Sequence, residues 1–171
     1  MIGKIWIYIT RILLIALIVI PHIEILDAIS YTVSTVVALR YAFDRWLWKL
    51  KPSLFKRYNI TGIWKGRLRS SYANTNKTVT VTINQTYSST TIRIGTDINV
   101  SNSKIAVWDY DNNNLLYIYT TDPQIDQKRK NPAQYGAAKL VINKAHPEKI
   151  CIQYWTDRKT IGVIQLKKQT S

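Results

Sequence analysis

Cysteine is nearly absent from this chain. Its single representative, Cys151, cannot close an intramolecular disulfide, so packing has to hold the fold, and one free thiol suits a reducing compartment. Histidine is almost as scarce. His22 lies between two apolar stretches and His146 in an Ala-His-Pro loop, and their spacing assembles neither a His-based triad nor a zinc cluster. The chain also lacks a glycine-rich phosphate loop and an H-E-x-x-H motif. Acids number 10 against 24 lysines and arginines, and in the C-terminal part they fall mostly in turns, such as Asp109 and Asp111. These absences argue against an enzyme and leave no bound metal or cofactor to expect.

Long apolar runs, by contrast, dominate the opening. Ile5 to Trp48 holds two hydrophobic stretches separated by a polar break at Pro21, His22, Glu24 and Asp27. The first, Trp6 to Ile20, is interrupted only by Thr10 and Arg11. Extended to Leu26 it reaches the roughly twenty residues that a helix needs to cross a bilayer core, and Ala28 to Trp48 is about as long. A cleaved signal peptide would account for Lys4 and the apolar centre, but no A-x-A-like site follows Ile20. A buried helical hairpin of a soluble protein is a second reading, although neither stretch shows the polar stripe usual for such helices. The expectation is a two-span transmembrane hairpin over residues 1–48.

Charge orients that hairpin. Arg40, Arg45, Lys49, Lys51, Lys56 and Arg57 line the exit of the second stretch against one acid, Asp44, and Lys4 precedes the first. By the positive-inside rule both termini are cytosolic, which makes this a multi-pass membrane protein with its main domain in the cytosol. Tyr41, Trp46 and Trp48 would form the interfacial belt. The net charge of +14 is then explained by anionic headgroups, so membrane lipids rather than a DNA or RNA polymer are the expected partner of these cations. Within the hairpin, Ser30, Ser34 and Ala38 recur at the small-xxx-small spacing that lets helices approach closely, a candidate assembly face. The alternative is that such hydroxyls only bond to their own helix. Arg11 either snorkels to the headgroups or is an intramembrane functional charge.

Residues 49–59 form a basic connector in which Pro52 ends the second helix. Beyond Ile60 the texture becomes β-branched and aromatic with period-2 alternation. Eight strands are expected: Gly62 to Arg69, Thr78 to Gln85, Thr90 to Thr96, Lys104 to Asp109, Leu115 to Thr121, Gly136 to Asn143, Ile150 to Thr156 and Thr160 to Lys167. Short connections and the lack of any helical stretch point to an antiparallel barrel or a sandwich. An eight-stranded up-and-down barrel over 60–171 is preferred, because closure removes edges that these Thr-rich strands do little to protect. Trp64, Gly66 and Leu68 should face inward, as should Val79, Val81 and Ile83, and Gly162, Ile164 and Leu166. In the fifth strand, Leu115, Tyr117 and Tyr119 compete with Leu116 and Ile118 for the interior.

Binding chemistry concentrates in the last hairpin, Tyr154-Trp155-Thr156-Asp157-Arg158-Lys159-Thr160-Ile161-Gly162. An arginine can hold a phosphate bidentately, hydroxyls bond sugars and phosphates, and aromatic faces stack on bases. The same residues would also make an ordinary polar turn with Tyr154 and Trp155 in cross-strand packing.

The layout of two apolar stretches and a β-rich domain, with Thr61-Gly62-Ile63-Trp64-Lys65-Gly66-Arg67-Leu68 at its start, L-x-Y-x-Y at Leu115 to Tyr119 and Y-W-T-D-R-K-T-x-G at Tyr154 to Gly162, resembles the two-transmembrane, β-strand-rich effectors of CBASS anti-phage systems, the CD-NTase-associated protein 15 class. That resemblance implies a receptor for a cyclic oligonucleotide made by a CD-NTase-type cyclase during phage infection. The nucleotide is an activating ligand, not a cofactor, and its binding drives homo-oligomerisation that disrupts the inner membrane. It further implies Arg158 for phosphate, Thr156 and Thr160 for phosphate or sugar, Tyr117, Tyr119 and Trp155 for bases, Gln85 for a base edge, and Trp64 and Gly66 for holding the barrel closed. Two other readings remain: a membrane-anchored lipocalin-like barrel that binds a lipid or other apolar molecule, and a structural membrane protein whose barrel contacts only other proteins.

Overall fold

A computed structural model describes residues 2–19, 24–55, 57–72, 76–97, 99–123 and 133–169. The expected features at Pro21, His22 and Lys56 lie outside them. The chain divides into two compact units, Met1–Lys51 and Pro52–Ser171.

In the first unit, helix α1 runs Ile2–Ile18 and helix α2 runs Ile25–Arg45, followed by a 3-10 turn at Leu47–Leu50. The helices pack on each other, with Trp6 edge-on to Phe43 at 5.9 Å. Small residues make that approach possible: Ala28 and Thr32, one turn apart, are the buried positions of α2. Thr32 Oγ1 donates to the Ala28 carbonyl at 2.7 Å and Thr10 Oγ1 to that of Trp6 at 2.8 Å, so these two hydroxyls are satisfied within their own helices. Ser30, Ser34, Ala38 and Arg11 stay exposed. Among the described residues no helix is long and apolar enough to cross a membrane. The 17 residues of α1 span only about 25 Å, and the 21 residues of α2 include Asp27, Arg40, Asp44 and Arg45.

The second unit contains all eight expected strands: β1 Gly62–Ser70, β2 Asn76–Gln85, β3 Thr90–Gly95, β4 Asn99–Asp109, β5 Asn114–Pro123, β6 Gln134–Ile142, β7 Lys149–Thr156 and β8 Ile161–Lys168. Each pairs antiparallel with its neighbours in sequence, and β8 pairs with β1, which closes an up-and-down barrel. β4 begins five residues earlier than its periodicity predicts. A bulge near Lys104 shifts the β4–β5 register between Ser103 and Ile105, and so hides the first half of the strand from a strict period-2 reading.

Inward positions follow the alternation. Trp64, Val79, Val81, Ile83, Ile164 and Leu166 are core residues. In β5 the contest is resolved for Leu115, Tyr117 and Tyr119, while Leu116 and Ile118 face out.

One end of the barrel, where the chain enters, is stoppered. Ile60 lies beneath Trp64, whose Nε1 donates to the Ile60 carbonyl at 3.0 Å. Trp108 Nε1 donates to Thr90 Oγ1 at 2.9 Å and its ring stacks on Tyr110 at 5.7 Å. The Arg57 guanidinium sits 3.6 Å from the Tyr87 ring centroid and 4.6 Å from that of Tyr110, and also donates to the Tyr87 carbonyl. Burial of the Tyr110 phenol raises its pKa, a shift that the cationic Arg57 opposes.

Candidate functional site

The opposite end of the barrel is lined differently. From the middle of β4, β5 and β7 towards this end, inward positions change from aliphatic to hydroxyl, phenol or glycine. Cross-strand register links them in rows: Ser101 opposite Thr121, Ser103 opposite Tyr119 and then Gly136 and Thr156, and Tyr117 opposite Ala138, then Tyr154, Gly162 and Ser70.

Two glycines make room for two of the phenols. A Cβ at Gly136 would collide with the Tyr119 ring and the Trp155 carbonyl; one at Gly162 would collide with the Tyr154 ring and the Arg69 carbonyl. Each tyrosine thus lies across the neighbouring strand, into space that only glycine leaves open. The Gly162 contact explains the glycine that ends the last hairpin's motif.

Most polar groups here have partners. Ser101 Oγ and Thr121 Oγ1 are 2.7 Å apart, and Thr156 Oγ1 and Thr160 Oγ1 are 2.5 Å apart. Tyr154 is hydrogen-bonded to Ser70. Tyr117 is the exception. It is 3% exposed, and its hydroxyl has no hydrogen-bond partner among the described residues. A buried, unmet phenol costs on the order of 1–3 kcal/mol, which a ligand or a water that bonded to it would recover. The Tyr117 and Tyr119 rings are 6.0 Å apart. Burial raises the pKa of Tyr117 and Tyr119 well above the ordinary phenol value, with neighbouring Tyr154 and then Asp157 adding to the shift of Tyr119, and burial also raises that of Tyr154 against an opposing hydrogen bond with Ser70, so all three are neutral donors at physiological pH.

The β7–β8 turn forms part of the rim. Thr156 N–H donates to the Thr160 carbonyl at 3.0 Å, Lys159 N–H donates to the Thr156 carbonyl at 3.0 Å, and Lys159 takes a positive φ of 58°. That is the three-residue hairpin loop with a left-handed last residue. Asp157 fastens it to β6: its N–H donates to the Tyr135 carbonyl at 3.0 Å, and its carboxylate accepts the Tyr135 N–H at 3.3 Å. Arg158 is exposed at the apex. Beside the rim, on the outer wall of β1 and β8, lies a groove of about 410 Å³ with Arg67, Arg69, Ser71 and Gln165 in its walls.

The structure therefore brings Tyr117, Tyr119, Thr156, Thr160 and Arg158 to one end. Of the other two, one lies at the opposite end and the other on the outer face. Gln85 is buried at the stoppered end, where its Oε1 accepts the Ile60 N–H at 3.0 Å and its Nε2 has no partner among the described residues. Trp155 alternates with Tyr154 and so points outward, 48% exposed, opposite Ala137 and Ile161. The polar inner residues Ser70, Ser101 and Thr121 were not singled out from sequence, and Tyr154 was named only as part of the last hairpin. Their signal was polarity at positions sharing a face with Leu115 and Ile152, visible only once that face is known to be inward.

A closed eight-stranded barrel with hydrogen-bonding groups gathered at one end is an architecture that can hold one small ligand. Residues 55–168 match the family model described as Cap15, cyclic dinucleotide receptor domain. The chain is 34% identical over 148 residues to CD-NTase-associated protein 15 of Staphylococcus schleiferi, covering 84% of this chain and 80% of that one. It is 25% identical over 161 residues to CD-NTase-associated protein 15 of Escherichia albertii, covering 85% and 82% respectively. The chain belongs to the Cap15 cyclic dinucleotide receptor family.

Proposed function

We propose that this protein is an anti-phage CBASS effector whose cytosolic barrel binds a cyclic dinucleotide, and that binding drives oligomerisation of the N-terminal helices and disruption of the bacterial inner membrane. The observation that carries the reading is the concentration of inward hydroxyls and phenols, including the unmatched Tyr117 hydroxyl, beneath the turn that presents Arg158. A cyclic dinucleotide has two phosphates, ribose hydroxyls and two base faces. Neutral donors, one guanidinium and aromatic rings meet each of these needs. The protein acts as a receptor, not an enzyme, and the helices carry its output: paired as two spans, they hold the barrel at the cytosolic surface and assemble through Ser30, Ser34 and Ala38.

A ligand promotes assembly only as far as it binds the assembled state more tightly. Calorimetric titration of the detergent-solubilised chain against cyclic di- and trinucleotides tests the first step. Binding should weaken as salt rises, because the ligand is a dianion; affinity independent of salt, or binding of fatty acids instead, would favour an apolar-ligand barrel. Arg158→Ala should lose at least roughly tenfold in affinity, the scale of one charge-assisted hydrogen bond. Unchanged affinity would sink the assignment. Ser34→Leu should leave binding intact and reduce toxicity in cells.

A further inference from the structure

Four neighbouring strands of the barrel, β7, β8, β1 and β2, contain no aspartate or glutamate. Their outward side chains include Lys65, Arg67, Arg69, Lys149 and Lys167, all exposed, and none of these forms an ion pair or hydrogen bond with a described residue. Register makes the crowding worse. Lys65 stands directly opposite Lys167 and Lys167 opposite Lys149, a row of lysines running from β1 through β8 to β7. Like charges in facing positions repel and destabilise a sheet, and nothing among the described residues offsets them. An anion from outside would.

Next to this row lies the groove of about 410 Å³ between β1 and β8, which Arg67 and Arg69 line from one strand and Ile161, Val163 and Gln165 from the other. Arg67 faces Gln165 across the strands, and Arg69 faces Val163. Alternate residues of a strand project from the same face about 6.6 Å apart, so two guanidiniums can reach the oxygens of one phosphate. We propose that this groove is a phosphate site separate from the mouth and that its ligand is an anionic lipid: Arg67 and Arg69 hold the phosphodiester of the headgroup, while Ile161 and Val163 lie against the glycerol and the first carbons of the chains.

Three observations choose a lipid. No aromatic ring lines the groove, so the bases of a nucleotide find nothing to stack on there, in contrast to the tyrosines of the mouth. Its apolar lining is accessible: Ile161 is 63% exposed and Val163 36%, and Ile63, on the same face of β1, is 50% exposed. Cations beside accessible apolar side chains are the composition of surfaces that settle on anionic headgroups. Lastly, one soluble anion in the groove would leave the row of Lys65, Lys167 and Lys149 unmatched, whereas an anionic leaflet presents a phosphate to each of them. The inference needs no nucleotide at the mouth; it shares with the proposed function only a chain held at a bilayer.

The test is calorimetric titration of the full chain in an uncharged detergent, wild type beside the double variant Arg67→Gln, Arg69→Gln. Both substitutions fall on exposed side chains, so the melting temperature should not fall. The ligands are the short-chain lipid dihexanoylphosphatidylglycerol, its zwitterionic phosphatidylcholine counterpart, and glycerophosphoglycerol, which has the same phosphodiester and no acyl chains. Wild type should bind the phosphatidylglycerol most tightly, less so as salt rises, and the variant should lose at least roughly tenfold in affinity. Equal affinity in the two proteins overturns the proposal. So does glycerophosphoglycerol binding as tightly as the lipid, which would indicate a site for a free phosphodiester. A DNA duplex that binds the variant less well while the lipid does not would mark a polyanion surface instead and overturn it too. Cyclic dinucleotide affinity should be equal in both proteins; a parallel fall would make the groove part of the nucleotide site and end its separate assignment. If wild type binds no nucleotide but still differs from the variant on lipid, the groove stands and the receptor reading fails.

Discussion

The two ends of the barrel are built from the same strands in the same alternation, yet they are lined differently. At the stoppered end the inward positions are Trp64, Ile83, Leu115, Leu140 and Ile152, all fully buried. Gln85 Oε1 and Trp64 Nε1 there are spent on the backbone of Ile60, while Gln85 Nε2 and Thr61 Oγ1 have no partner among the described residues. At the other end hydroxyls and phenols take the inward positions of β4, β5 and β7, glycines make room on β6 and β8, and Tyr117 retains an unmet donor. A barrel of eight strands has just enough interior to be filled, so stability and binding compete for the same volume. In the proposed receptor, this chain divides them along the barrel axis. One end supplies the packing energy, and the other gives up some of it to hold groups that a ligand can use.

The comparison is most severely tested in the core. Trp64→Ala should cost about 3–5 kcal/mol, read as a fall in denaturant midpoint, because it empties a fully buried indole site and strands the Ile60 carbonyl. Gly162→Ala should cost about 1–3 kcal/mol by forcing the Tyr154 ring and the Arg69 backbone apart, and should damage ligand binding out of proportion to that loss. If Gly162→Ala binds nucleotide normally, Tyr154 does not shape the mouth.

Smaller and opposite in sign is Tyr117→Phe. It deletes a buried hydroxyl with no partner among the described residues, so the unliganded barrel should be unchanged or stabilised by up to about 1 kcal/mol while nucleotide affinity falls. Tyr154→Phe, which breaks the bond to Ser70, should instead lose about 1 kcal/mol. Equal effects of the two would erase the distinction between a spent and an unspent phenol.

Alkaline titration gives the gentlest probe. Tyr117, Tyr119 and Tyr154 have folded pKa values raised above the ordinary 10.0. Above that value the unfolded chain releases phenolic protons that the folded chain keeps, so the folded state binds more protons and stability falls as pH rises. The stabilisation is complete below about pH 10 and is lost progressively above it. Melting temperature against pH should therefore decline more steeply for the wild type than for Tyr117→Phe, and identical slopes would show that the phenol is not shielded.

Much of the barrel was legible before any coordinates. All eight strands were visible because side chains alternate with period 2, and alternation is a property of neighbouring residues. The hairpin chemistry at Thr156, Arg158 and Thr160 was legible for the same reason, since a three-residue turn places its members together by covalent connection alone. Expectations that depended on distant strands were less secure. Gln85 and Trp155 each had suitable chemistry, but a side chain's end of the barrel and its face are set by register against other strands. Register put one under the stopper and the other on the outside.

What this sequence determined by itself was local: alternation, turn type, and the apolar opening with its flanking cations. Tertiary structure decided which polar residues share a volume. Ser70, Ser101, Tyr117 and Tyr154 come from β1, β4, β5 and β7, and only closure of β8 onto β1 gathers them around one mouth. The physical reason is that hydrophobic burial selects a face for each strand from short-range pattern, whereas the composition of a barrel's cross-section depends on stagger between strands, a long-range quantity that no segment carries alone.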